Sequence, residues 1–194
     1  MKLKPEFEER MKELLKEEYP VYCKVLDERY LNSIRCNTLK ISVEELKKKL
    51  SKKWKISQPY KEFPEIMIIE GELEPGEIGR ALEHQLGYYY IQEVSSMIPP
   101  LVLSPTEKDN VLDLAASPGS KTTQIASMMN NRGVLIANDV SGGRIKILSS
   151  NLQRCGVTNC VVTQEDGARL CKKLNELNFS FDKILVDAPC SCEG

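Results

Sequence analysis

The stretch Asp113–Thr122, DLAASPGSKT, sets a proline and a glycine between a short apolar run and a helical pattern. A tight turn of small residues lets a ligand approach the backbone closely. Lys121 and Thr122 invite a phosphate-loop reading, but that motif needs glycine directly before the lysine and again five residues earlier. Ser120 and Ala115 hold those positions and no GxGxxG is present, so the turn suits neither a nucleoside triphosphate nor a pyrophosphate. Asp139 ends the next apolar run, twenty residues after Gly119. One carboxylate there can accept from both hydroxyls of a ribose. Glu165 and Asp166 end a third run, suited to accept from an exocyclic amine, and Asp187 ends a fourth. A lone Asp after a strand is most often a helix cap. Acids at three successive strand tips beside a glycine turn favour a nucleoside. Ribose and base without phosphates point to S-adenosylmethionine.

Pro189 and Cys190 stand where the transferable methyl would lie. Cytosine C5 is a poor nucleophile, and thiolate addition at C6 turns the ring into an enamine able to take a methyl. An acid that helps protonate the ring nitrogen eases that addition. Cys190 and Asp187 form such a pair, and on residues alone Cys190 is the nucleophile. The other readings of Cys190 are a small buried thiol or a metal ligand. Cysteines at 190 and 192, and at 155 and 160, with a single histidine, do not make a zinc site, so no metal is expected.

The elements that must carry these residues follow from periodicity. VLDLAA, GVLIAND, NCVVTQED and DKILVDAP are short apolar strands recurring every twenty-odd residues, with helical patterns between them. That rhythm predicts βαβ units and a doubly wound, Rossmann-like parallel sheet of the α/β class. Ahead of it, KPEFEERMKELLKEEYP has helical spacing and stops at Pro20, and LNSIRCNTLKI reads as a strand and turn. SVEELKKKLSKKW begins with Ser42 as a cap and Glu45 three residues on. Val43, Leu46, Leu50 and Trp54 form one apolar stripe, with lysines 47, 48, 49, 52 and 53 opposite. EIMIIEG is a strand and ELEPGEIG a loop. Residues 1–90 therefore read as a small α+β lead-in domain and residues 91–194 as the cofactor-binding domain.

Bulk properties narrow the setting. No apolar stretch approaches a membrane span, and seven scattered cysteines do not form a disulfide framework, so a cytoplasmic protein with reduced thiols is expected. The net charge of −1 hides an asymmetry: residues 1–60 hold 15 Lys/Arg against 10 Asp/Glu, while the remainder is acidic. A basic front half suits RNA, though a solvated lysine face and a core Trp54 are the plainer readings of the stripe from Lys47 to Lys55.

These motifs resemble the Nop2/Sun family of RNA cytosine-C5 methyltransferases. DLAASPGSKT is similar to the family's motif I, ANDVS with Arg144 to its second motif, and VDAPCSCEG to its motif IV. IRCNTLK and YYYIQEVSSMIPPLVLSP resemble its lead-in segments, so the likeness spans residues 34–194. The resemblance implies a S-adenosylmethionine site made by Ala115, Ala116, Ser117, Pro118, Gly119, Ser120 and Lys121, with Asp139, Arg144, Asp166 and Asp187. It implies that Cys190 frees the product, while the attacking thiolate belongs to a later Thr-Cys motif. The chain is accordingly expected to be the front portion of a longer enzyme, its sheet incomplete and its nucleophile absent. The small front domain favours tRNA over rRNA as substrate. An rRNA cytosine-C5 methyltransferase, a non-catalytic RNA-binding module that keeps the cofactor pocket, and an amine methyltransferase are the alternatives.

Overall fold

The computed structural model describes residues 4–27 and 31–188. Compactness divides the chain between Leu31 and Asn32. The first unit comprises helix α1 (Pro5–Leu15), a 3-10 turn (Lys16–Glu18) and helix α2 (Tyr19–Asp27). The opening helix thus ends at Leu15 rather than Pro20. Pro20 instead sits in the first turn of α2, where a missing N–H breaks no helical bond.

The second unit holds two four-stranded sheets. The first is antiparallel, in the order β2-β3-β1-β4, from β1 (Asn32–Cys36), β2 (Lys55–Ser57), β3 (Ile66–Glu70) and β4 (Tyr89–Ile91). Helix α3 (Val43–Leu50) covers it, and short helices α4 (Glu77–Arg80) and α5 (Leu82–Gln85) follow β3. Part of the stretch read as a loop is therefore helical. Ser42 caps α3 as expected: its Oγ accepts from the Glu45 N–H at 3.3 Å and donates to Glu45 Oε2 at 3.1 Å. Leu46 and Leu50 are fully buried with Ile34, Met67 and Ile69, and Val43 and Trp54 pack at the margin of that core. Trp54 is tied there by its indole N–H to Glu77 Oε1 at 2.7 Å, so its ring is partly buried against that core. Lys47, Lys48, Lys49 and Lys52 are exposed, while Lys53 pairs with Glu83 at 2.8 Å and Lys55 with Glu70 at 2.5 Å.

Helix α6 (Val94–Leu103) leads into the second sheet, made of β5 (Asn110–Asp113), β6 (Val134–Asn138), β7 (Cys160–Thr163) and β8 (Lys183–Leu185). All pairs are parallel, in the order β7-β6-β5-β8. Helices α7 (Ser120–Met128), α8 (Gly142–Cys155) and α9 (Gly167–Glu176) make the crossovers. Side chains alternate across each strand. Val111 and Leu135 face Ile125 of α7 and Met129 at its C-cap, and Ala137 faces Leu148 and Leu152 of α8. Leu112 and Ile136 turn the other way, onto Leu170 of α9. Helices thus cover both faces, as the doubly wound expectation requires. The chain steps outward from β5 to β7 and then crosses to β8 on β5's other side, which opens a crevice between the ends of β5 and β8.

IRCNTLK, one of the lead-in segments, joins the two sheets. Asn37 Nδ2 donates to the carbonyls of Gly87 at 2.8 Å and Cys155 at 2.7 Å. Lys40 Nζ donates to Leu86 O at 3.0 Å and Arg154 O at 2.7 Å, and the Thr38 and Ser127 hydroxyls lie 2.6 Å apart. The carbonyls in the last turn of α8 lack helical partners, and these side chains supply them. Gly87 makes the approach possible: its φ is +73°, and a Cβ there would stand 2.0 Å from Arg154 O.

Candidate functional site

The turn after β5 is held at nearly every carbonyl. Ala116 N–H donates to Asn138 O at 2.7 Å, and Gly119 N–H to Ala116 O at 2.8 Å. Ser117 Oγ donates to Arg144 O at 2.9 Å, while Arg144 Nη2 returns a bond to Ser117 O at 2.5 Å. Pro118 O accepts from Asn151 Nδ2 at 2.8 Å and from Tyr90 Oη at 3.3 Å. Gly119 has φ +103°, and a Cβ would meet Leu148 Cδ1 at 3.0 Å, so both backbone and space select glycine. Its position opens α7, whose first N–H groups have no helical acceptor.

Asn138, at the end of β6, locks the strand tips together. Its Nδ2 donates to Leu114 O at 3.1 Å and Glu165 O at 3.0 Å, and its Oδ1 accepts from Thr163 Oγ1 at 2.9 Å and Glu165 N–H at 3.1 Å. Sequence reasoning passed over it. A polar residue at the last position of an otherwise apolar run was the available signal.

The acids divide into two kinds. Asp139 is 2% exposed; its Oδ1 accepts from the Ser141 N–H at 3.0 Å, whereas its Oδ2 is buried with no hydrogen-bond partner. Arg144 Nη2 stands 3.5 Å from that oxygen. A buried carboxylate oxygen left without a donor costs free energy unless something arrives to donate. Asp187 is the second kind, more than half exposed and paired with Lys121 Nζ at 2.6 Å. Lys121 also donates to Ser96 Oγ at 3.1 Å. Glu165 and Asp166 are engaged locally. Asp166 is exposed and caps α9 by accepting from the Arg169 N–H at 3.1 Å, and Glu165 is paired with Lys173.

A small cleft at the β5–β8 crossing gathers Ala115, Ala116, Ser117, Pro118, Ser120, Lys121 and Asp187 of the expected residues. Gly119, Asp139 and Arg144 frame it through the contacts above, and Asp166 serves as a cap at the end of β7. Cys190, with Pro189, lies outside the described residues. The cleft also includes Asp113, which the sequence reading left in its strand. Burial pushes its carboxyl up to about 6, against the opposing pull of the Thr122 hydroxyl at 2.7 Å and of the Lys121 charge. Cys155 and Cys160 are thiols pushed well up by burial, which suits packing and not nucleophilic attack. Among the described residues no three His, Cys, Asp or Glu side chains gather as a metal site, and no helix is long and apolar enough to cross a membrane.

The chain resembles known proteins along almost its whole length. Residues 100–194 match the family described as 16S rRNA methyltransferase RsmB/F, and residues 3–94 match the N-terminal domain of 16S rRNA methyltransferase RsmF. Ribosomal RNA small subunit methyltransferase F of Vibrio atlanticus is 47% identical over 165 residues, 84% of this chain and 34% of that protein. Its counterpart in Shewanella oneidensis is 46% identical over 164 residues, with the same coverage. The chain therefore spans about a third of the length of these curated relatives. Among solved structures, NSun6 from Pyrococcus horikoshii, determined with SFG, superposes with a TM-score of 0.82 at 28% identity, covering 96% of this chain and 71% of that one. A methyltransferase homolog from the same organism gives 0.79 at 34% identity, covering 97% and 64%. Matched over residues 3–94 and 100–194 by these two family descriptions, the chain belongs to the Nop2/Sun family of RNA methyltransferases.

Proposed function

We propose that the protein binds S-adenosylmethionine in the β5–β8 cleft and serves methylation of cytosine C5 in small-subunit ribosomal RNA. The observation that carries this reading is Asp139 Oδ2, buried without a hydrogen-bond donor beside a glycine turn. Two ribose hydroxyls are donors of the right kind, and Asp139 is positioned to accept from them. Ala115 to Pro118, with Ser120 and Lys121, line the space for the rest of the nucleoside, with Arg144 bracing the turn behind it. Bound there, the donor supplies an electrophilic methyl carried on a sulfonium. The Lys121–Asp187 pair borders the same cleft, where Asp187 can contact the cytosine ring nitrogen and assist addition at C6. Cys190, three residues on, is assigned to release of the product, as in the family's motif IV. Asp166 is assigned to the adenine side of the site through its place after β7.

Residues 1–90 are assigned to holding RNA and residues 91–194 to the cofactor. The exposed lysines 47, 48, 49 and 52 on α3 and its following turn supply phosphate-binding charge. For the RNA class, the front-domain argument for tRNA gives way to the relatives: the matched families and the most similar curated proteins are named for 16S or small-subunit rRNA. The target base must leave its stack, since C6 has to be open to attack.

Two measurements test this. Calorimetric titration with S-adenosylmethionine should show one saturable site, and its absence refutes the cofactor assignment. Radiolabelled methyl transfer by the intact gene product, offered 16S rRNA and tRNA in parallel with bisulfite mapping, should label a cytosine in the rRNA. Label confined to tRNA, or to an exocyclic amine, refutes the substrate assignment.

A further inference from the structure

We propose that Ser96, in the lead-in helix α6, is a positioning residue for the cleft: it holds the Lys121 ammonium, and through it Asp187, in a fixed place. The proposal rests on the methyl-donor reading of that cleft. A lysine ammonium is a point charge with three donors on a flexible stem, and an ion pair to an exposed carboxylate does little to fix it. Asp187 is 57% exposed, so this pair alone would leave Lys121 mobile. The second bond, to Ser96 Oγ at 3.1 Å, comes from a different element, and leaves a third donor for a bound molecule.

Ser96 is itself held by a device that the α6 sequence requires. Pro100 has no N–H, so the carbonyl four residues earlier, Ser96 O, loses its helical donor. Gln92 Nε2 takes that carbonyl at 3.1 Å and also donates to Gln124 Oε1 at 3.1 Å. Gln92 Oε1 in turn accepts from Arg35 Nε at 3.0 Å. Arg35 is only 2% exposed, and its partners are neutral: Gln92, Thr123 Oγ1 at 2.9 Å and Ser120 O at 3.4 Å. Ser120 and Thr123 belong to α7, the helix that carries Lys121. The bonds therefore close a ring, from α7 to Arg35, Gln92, Ser96, Lys121 and back to α7. A closed ring of buried and partly buried hydrogen bonds has few alternative arrangements, and the lysine inherits that restriction.

The test uses Ser96→Ala and Ser96→Thr in the same chain, with Gln92→Met as a second variant removed from the cleft. Three quantities are read: affinity for S-adenosylmethionine, melting temperature, and the rate of Lys121 reductive methylation in the absence of the donor, followed by peptide mass spectrometry. Ser96→Ala should weaken binding by about tenfold, the worth of one hydrogen bond to a charged group. Lys121 should react several-fold faster while the melting temperature stays put. Ser96→Thr should restore both, and Gln92→Met should shift both in the same direction as Ser96→Ala. Wild-type affinity in Ser96→Ala, unchanged Lys121 reactivity, or a threonine variant as weak as the alanine one would each overturn the proposal. If the wild-type chain binds no donor, the cofactor reading falls and takes the role of Ser96 with it. In that case Lys121 reactivity still shows whether the ring exists.

Discussion

Replacing Asp139 by asparagine tests function against stability at an acid whose Oδ2 is buried without a hydrogen-bond partner among the described residues. Asp139 is 2% exposed, with Oδ1 committed to the Ser141 N–H at 3.0 Å and Oδ2 without a hydrogen-bond partner. The amide keeps the shape and can keep the Ser141 bond, but it presents a donor where the ribose also presents donors. Hydrogen bonds to a charged acceptor contribute about 1.5–3 kcal/mol each. Losing two and recovering at best one neutral bond of about 1 kcal/mol leaves a deficit of about 2–5 kcal/mol. At about 1.4 kcal/mol per decade, affinity for S-adenosylmethionine should fall at least about 30-fold and up to about 4,000-fold. The free protein should not suffer, because neutralising a buried, under-bonded carboxylate removes a desolvation cost. The lost contact to Arg144, 3.5 Å away and 43% exposed, is worth little. Calorimetry and a thermal melt on the two proteins are the assay. Wild-type affinity in Asp139→Asn, or a melting temperature that drops in step with affinity, would refute the reasoning.

Three further outcomes are expected. Gly119→Ala should lower stability in urea by about 1–2 kcal/mol, since φ +103° and a Cβ 3.0 Å from Leu148 Cδ1 both oppose it, and a wild-type midpoint would refute that. Asp113 titrates near 6 when folded, above its unfolded value, so its contribution is complete below about pH 4 and is lost as pH rises towards 6. Relative to Asp113→Asn, wild type should lose about 3 kcal/mol between pH 4 and 7 in denaturant melts, and parallel profiles would rule this out. Asn37→Ala should cost about 1–3 kcal/mol by stranding the Gly87 and Cys155 carbonyls, with little change in donor affinity per folded molecule.

The parallel sheet was legible because β5, β6, β7 and β8 are apolar runs with polar tips, spaced by crossover helices. Helix α6 was not read as one: Pro99 and Pro100 inside it are helix breakers by local rules, and the Gln92 amide that takes up the Ser96 carbonyl is a tertiary partner. Three-residue strands such as β2 and β4 carry too few alternations to show a period. Around the candidate site, the glycine turn and the place of Asp139 directly after β6 were readable from spacing. Asp166 and Asp187 look alike in sequence, yet the first caps α9 and the second meets Lys121, a difference made by neighbours far along the chain. Arg35 was invisible for the same reason: its bonds reach across 57 to 88 residues, and nothing in its immediate surroundings announces them. Asn138 offered one local signal, a polar residue closing an apolar run, while its partners lie 24 or more residues away.

The seam formed by Arg35, Asn37, Thr38 and Lys40 limits how this protein can be recombined. Grafting the parallel sheet behind a foreign leader would strip the carbonyls at the end of α8 of their donors and remove the glycine whose close approach fits against them. A workable chimera must carry residues 32–94 along with the sheet they brace, and the joint can be cut more safely upstream, near Leu31.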